Sequence, residues 1–436
     1  MSGPGLLDLT SGQEHVRSCT GCGACLETCP TYILWGQEAD SPRGRIAMIG
    51  EAIAAGGAVD GELAAHIDSC LGCMACVSAC PSGVSYDALL ARARPAVERR
   101  RRRAAPERAA RRLALATVPH PQRLRAAASV LETAERLGRR RLPTPASALA
   151  GLTPARGVGA RAQESLPART PARGGPPRGR VALLLGCAQR VFFGDVQRAA
   201  IEVLAAEGYE VLAPALPDCC GALERHAGEQ RAALARAEQT IAGFAGLGGV
   251  DHIVTTTGGC GAELRRYGEM LGTPQARAFS ALVRDVSELL AERPSRVARG
   301  PVPIRVAYHA SCQLEHAQDV RGQPRALLAQ IPELELIEPC TDSYVCCGGV
   351  GLNPVLRPAT AAELGDHAVL ALRATGADVI ATGGHDCATH LSRRLGLGGA
   401  VAPQPPIQHP IELVWRSIQA ADNADPTGSV IPVPDR

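Results

Sequence analysis

Two runs of cysteine constrain this chain more than any other feature. Cys19-Thr-Gly-Cys22-Gly-Ala-Cys25-Leu-Glu-Thr-Cys29-Pro30 has the spacing C-x2-C-x2-C-x3-C-P, and Cys70-Leu-Gly-Cys73-Met-Ala-Cys76-Val-Ser-Ala-Cys80-Pro81 repeats it. Two-residue gaps let one tight loop wrap a compact centre. Small residues (Gly21, Gly23, Ala24, Gly72, Ala75) let backbone N–H groups approach the sulfurs. Pro30 and Pro81 turn the chain away once the fourth ligand is placed. Structural zinc also uses C-x2-C pairs, but it takes two pairs per site and has no use for a third cysteine at the same gap followed by C-P. The fold must therefore gather two sets of four thiolates.

This is the run that holds cubane [4Fe–4S] clusters in two-cluster ferredoxins, where the fourth cysteine crosses to the other cluster. On that pattern Cys19, Cys22, Cys25 and Cys80 hold one cluster, and Cys70, Cys73, Cys76 and Cys29 hold the other. Neighbouring clusters of this kind carry single electrons, so the first half of the chain reads as wiring. The stretch between the motifs is longer than a compact ferredoxin hairpin and helical in composition. A mainly α-helical ferredoxin-type domain is expected over residues 1–95. Within it, Pro42-Arg43-Gly44-Arg45 puts cations near an anionic cluster, either raising its potential or serving as surface charges at a helix start.

The chain of 436 residues contains 17 cysteines. Its first residues, Met1-Ser2-Gly3-Pro4-Gly5, show no export signal and no myristoylation site. In a reducing cytoplasm such a cysteine excess reads as metal ligation rather than disulfides. No run of about 18 apolar residues occurs, so no membrane-spanning helix is expected. A net charge of +3 argues against a nucleic-acid partner. Residues 96–142 read as a basic helical segment with five arginines at 99–103. That run is a solvated helix by default, or a grip on anionic phospholipid or an acidic partner face. Residues 143–179 are rich in Pro and Gly and read as a linker without regular structure; residues 421–436 read as a tail.

From residue 180 onward short apolar strands alternate with amphipathic helices. Strands are predicted at 181–185, 210–213 and 252–256 with helices at 196–207 and 229–244. Strands at 304–308, 335–337 and 379–382, with helices at 324–330 and 359–374, then follow in the same order. Such alternation implies parallel sheets with helices packed on them. The cysteines mark a duplication: Cys187, Cys219, Cys220 and Cys260 recur as Cys312, Cys346, Cys347 and Cys387. The intervals are 32 and 41 residues in one copy, 34 and 41 in the other. The fold class is thus a ferredoxin-type domain followed by a duplicated α/β Cys-Cys-Gly domain, with repeats at 180–298 and 299–420. Each repeat brings its four thiols to the ends of parallel strands, and a further iron–sulfur centre is expected in at least one of the two pockets, with Cys312, Cys346, Cys347 and Cys387 favoured over Cys187, Cys219, Cys220 and Cys260; the alternative is a cluster-free module that serves only as scaffold.

The combination resembles the superfamily of Cys-Cys-Gly domain proteins, which includes heterodisulfide reductase and the iron–sulfur subunit of anaerobic glycerol-3-phosphate dehydrogenase. The match is closest to the glycolate oxidase iron–sulfur subunit family and covers nearly the whole chain. It is carried by Cys29-Pro-Thr-Tyr32, Cys80-Pro-Ser-Gly83-Val84, Cys219-Cys-Gly-Ala-Leu223, His309-Ala-Ser-Cys312-Gln-Leu-Glu-His316, Cys346-Cys-Gly-Gly349 and His409-Pro-Ile-Glu412. The resemblance implies an electron-transfer subunit that takes electrons from FAD-containing glycolate oxidase subunits, where glycolate becomes glyoxylate. It implies transfer towards quinone or another acceptor, in the cytoplasm or on the inner face of its membrane. The alternatives are a glycerol-3-phosphate or D-lactate dehydrogenase partner, or a disulfide reductase. No dinucleotide fingerprint is present, so no flavin chemistry is expected on this chain. The heterodisulfide reductase pattern ends each repeat in C-x-x-C; here Thr257 and Gly384 stand at its first position, which counts against disulfide cleavage. His309, His316, His385 and His390 flank the second-repeat cysteines as proton-relay or supporting groups, and Cys340 reads as a plain buried thiol.

Overall fold

A computed structural model describes residues 9–101, 103–136, 150–155, 166–340, 346–397 and 404–423. The expected tail from residue 424, the first eight residues, Arg102 and parts of the linker lie outside these.

The first half is helical. Helices Gln13–Arg17, Pro30–Trp35, Pro42–Ala54, Gly61–Ser69, Ala75–Ser78 and Tyr86–Arg100 surround a core that includes Ile49, Leu63, Ile67, Leu89 and Val97. Their starts are written locally. Ser41 caps the helix at Pro42 by accepting from Gly44 N at 3.0 Å, and Asp60 caps the helix at Gly61 by accepting from Leu63 N at 2.8 Å. The basic segment continues as helices Tyr86–Arg100, Ala105–Thr117 and Pro121–Arg136. Within its arginine run, Arg99 and Arg100 are exposed. Arg101 and Arg103 both pair with Asp68, and Arg103 also pairs with Glu98 and Glu107. Arg111 reaches Glu229, tying this segment to the first repeat.

The second half contains two sheets. In the first, strands β1 (Arg169–Thr170), β2 (Gly179–Leu183), β3 (Tyr209–Leu212), β4 (His252–Thr255) and β5 (Val283–Asp285) are ordered β1-β3-β2-β4-β5. In the second, β6 (Arg305–Tyr308), β7 (Glu335–Ile337), β8 (Val379–Ala381) and β9 (Ile407–Gln408) are ordered β7-β6-β8-β9. All pairings are parallel except β1 with β3. Setting β1 aside, the two orders coincide, as a duplication requires. An apolar cluster containing Val181, Val254, Val306, Leu327, Ile411 and Val414 runs through both repeats.

Two expectations need correction. The Pro/Gly-rich stretch does contain regular structure, because Arg169 and Thr170 pair with Leu212 and Val211 and extend the open edge at β3. Cys340 is exposed rather than buried. It follows β7, the edge strand of its sheet.

Candidate metal centres

In the first motif, Gly21 and Gly23 take φ of +72° and +85°, and Gly72 in the second takes +73°. These left-handed residues fold each loop back so that three thiols face one point. Met74 holds the same conformation (φ +66°) at the place of Gly23 and is buried in the helical core. One cavity is lined by Cys19, Cys22, Cys25, Cys76 and Cys80. The structure thus brings the last cysteine of the second motif to the first three of the first motif. Cys22 is exposed while Cys19, Cys25 and Cys80 are partly covered.

Of the other ligand set, Cys29 and Cys73 are buried and Cys70 and Cys76 partly covered. Arg45, 1% exposed, sits beside them with Nη1 3.9 Å from Cys29 Sγ. Its other donors bond Thr31 Oγ1 at 3.0 Å, Ser69 Oγ at 2.7 Å, Asp40 Oδ1 at 3.2 Å and the His66 carbonyl at 2.7 Å. It is therefore no surface charge. Gly44 beside it is glycine because a Cβ there would collide with the Glu38 carbonyl. Burial pushes the Cys73 and Cys76 thiols well up. Burial also opposes the Cys70 thiolate, but Arg45, Arg94 and the Tyr86 hydroxyl outweigh it and hold Cys70 below its ordinary value. Four clustered thiols with cations beside them fit an anionic cluster better than four protonated thiols.

In the first repeat Cys187 begins the helix after β2, Cys219 and Cys220 follow β3, and Cys260 lies on the helix after β4. All stand at the C-terminal ends of parallel strands, where α/β folds place their sites. Cys220 Sγ lies 3.3 Å from Cys260 Sγ, and hydrogen bonds link Cys187 to Cys219 and Cys219 to Cys220. The adjoining cavity, about 80 Å³, is closed by Gln313 and His385 of the second repeat. Thr257, at the place of the missing cysteine, meets His385 Nδ1 at 2.6 Å, and His385 Nε2 meets Asp386 at 2.8 Å. Burial alone would lower His385, but Asp386 holds it up at about 9.

In the second repeat Cys312, Cys346, Cys347 and Cys387 are all buried, and thiol hydrogen bonds run from Cys312 through Cys346 and Cys347 to Cys387. Cys312 and Cys346 share an apolar cluster with Cys73 of the second ferredoxin-type motif. The contact is pinned on two sides. Gln313 Nε2 donates to the Gly72 carbonyl at 2.8 Å, and Ser78 Oγ meets His316 Nδ1 at 2.9 Å. His390 Nε2 meets the Ala361 carbonyl at 2.8 Å, and the residue also lines the cavity beside the first-repeat cysteines. His309 stands with Cys347 and Cys387, one ligand atom of each lying within 4.8 Å of the others. Burial pushes His309 down to about 4. The sequence named His309 only as a flanking group. Comparing the copies position by position, which sets it opposite Leu184, was the signal available.

Eight thiols in ferredoxin spacing joined to paired Cys-Cys-Gly sheets define an iron–sulfur electron-transfer protein. Residues 15–84 match the family of the 4Fe-4S dicluster domain, and residues 181–265 and 306–392 that of the cysteine-rich domain. The chain is 33% identical over 415 residues to the glycolate oxidase iron-sulfur subunit of Escherichia coli (strain K12), covering 93% of this chain and 94% of that one. It is also 33% identical to the probable glycolate oxidase iron-sulfur subunit of Bacillus subtilis (strain 168), over 89% and 92% of the two chains. A fumarate reductase (CoM/CoB) subunit of Methanothermobacter marburgensis is 32% identical over 51% of this chain and 44% of its own. The chain belongs to the glycolate oxidase iron–sulfur subunit family. Among the described residues no helix is long and apolar enough to cross a membrane.

Proposed function

We propose that this chain is the electron-transfer subunit of a flavin-dependent glycolate-oxidising complex, taking electrons from FAD-containing partner subunits and passing them towards quinone or another acceptor. On this reading it works in the cytoplasm or against the inner face of the membrane. Bound iron–sulfur clusters would supply the one-electron steps. Cys19, Cys22, Cys25 and Cys80 hold the first cluster, Cys70, Cys73, Cys76 and Cys29 the second, and Cys312, Cys346, Cys347 and Cys387 contribute to a further centre. The observation that carries the reading is that Cys73, Cys312 and Cys346 share one apolar cluster, which sets the second ferredoxin-type motif against the second repeat. The rest of the chain orients that arrangement. Arg45 compensates charge beside Cys29 and Cys70, and Gln313 and Ser78 hold the two halves in register. The isolated chain should show no glycolate-dependent dye reduction, and adding the flavoprotein should restore it. Glycolate oxidation by the chain free of flavoprotein would contradict the proposal.

A further inference from the structure

The two repeats differ at one buried position in a way their common fold does not require. Leu184 and His309 occupy the same place. Leu184 N donates to the Val254 carbonyl at 2.9 Å across β2 and β4, and His309 N donates to the Ala381 carbonyl at 2.8 Å across β6 and β8. The first repeat buries Leu184 there among Ala182, Ile253 and Leu264, an ordinary apolar filling. The second buries an imidazole at 1% exposure, and a polar ring needs a reason to sit where its sister copy packs leucine.

The reason lies beside it. His309, Cys347 and Cys387 point one ligand atom each into a space where all three come within 4.8 Å. Beside Cys387, Gly384 stands where the related pattern has its extra cysteine, and a side chain there would have to displace Ser311. A Cβ on Gly384 would lie 2.6 Å from Ser311 Oγ and 3.2 Å from Cys387 Sγ. The donor lost at 384 is therefore matched by a donor at the end of β6. We propose that His309 is a direct ligand of the second-repeat iron–sulfur centre, alongside Cys347 and Cys387. This rests on the proposed function, in which the second repeat holds such a centre.

The substitution has a consequence for the electron route. A ligating histidine is a neutral imidazole, so replacing a thiolate by His309 removes a negative charge from the centre. Histidine for cysteine raises the potential of iron–sulfur centres. The second-repeat centre, packed against Cys73 through Cys312 and Cys346, is then placed to draw electrons from the second cluster. The first repeat, with Leu184 at the same place, has no such pull.

The test uses the full chain, purified without oxygen and labelled with 15N-histidine, with pulsed electron paramagnetic resonance on the signal that Cys347→Ser removes. The expected result is a directly coordinated histidine nitrogen on that signal. In unlabelled protein His309→Cys should abolish the coupling while keeping the signal, and should lower its midpoint potential. A third centre without histidine coupling, or a coupling that survives His309→Cys, overturns the inference and leaves the third centre standing. An iron content near the about eight atoms of two clusters, with no third signal, overturns both. The labelled wild type decides the matter even if the variant does not fold.

Discussion

Arg45 is the residue on which most of the second cluster site converges. A guanidinium at 1% exposure is costly unless paired, and it is held by Asp40, Ser69, Thr31 and the His66 carbonyl. Arg45→Gln leaves the Asp40 carboxylate buried with only Ser69 and His66 beside it. Chemical denaturation should show a loss of about 3–5 kcal/mol. Because the lost cation also faces Cys29 and Cys70, redox titration should give a lower midpoint potential for the second cluster. A variant as stable as the parent, at unchanged potential, would show that Arg45 does neither. Cys80 makes the complementary case. Cys80→Ser should perturb the spectrum of the first-motif cluster, since Cys80 shares a cavity with Cys19, Cys22 and Cys25. A disturbance confined to the second-motif cluster would sink the crossed ligation. The eight cysteines of this half stood out in the sequence because ligand spacing is local. Arg45 was ambiguous there, since only the folded chain brings Thr31, Asp40 and Ser69 around it.

Elements were legible where periodicity and cysteine landmarks agreed, as for β2, β3, β4, β6, β7 and β8, which fall within a residue or two of expectation. Strands β1, β5 and β9 were missed. Two or three residues carry no alternation to read, and each is a strand only because a neighbour offers an open edge. The helix Pro410–Asp422 was not predicted; His409-Pro-Ile-Glu412 was noticed only as a motif of the resemblance, and the structure gives that motif a mechanical role. His409 Nδ1 accepts from Ile411 N at 3.1 Å, and Glu412 Oε2 accepts from His409 N at 2.7 Å. The pair closes a capping box. The cap works only with neutral imidazole, and burial holds His409 at about 4. Unfolded histidine titrates near about 6.5, so the unfolded chain binds the extra proton first. The contribution is complete above about 6.5 and is lost as pH falls towards 4. Between pH 7.5 and 5 the parent should lose about 2 kcal/mol more stability than His409→Asn, which keeps an acceptor that does not titrate there. Parallel denaturation midpoints for the two proteins would exclude this cap as a pH-sensitive element.

At the scale of the whole molecule, the cysteine groups form an ordered series. The first motif is the open end, with Cys22 at the surface, and the second is covered by the second repeat. The cavity of the first repeat is completed by Gln313 and His385 from the second, so the repeats are not independent pockets joined by a tether. None of this order was readable from sequence. It depends on Gln313 meeting Gly72 and Ser78 meeting His316, contacts between residues more than 200 positions apart. Electrons entering at the exposed cluster would cross Cys73 into the second repeat, and His309 would set the direction. The most direct measurement mixes the anaerobic chain with its flavin subunits and glycolate, freezes the mixture and records electron paramagnetic resonance. The expected result is reduced-cluster signals that need both glycolate and the flavoprotein, and loss of the second-repeat signal alone in Cys346→Ser/Cys347→Ser. Clusters that stay oxidised in the complete mixture, while the flavin itself is reduced, would contradict it.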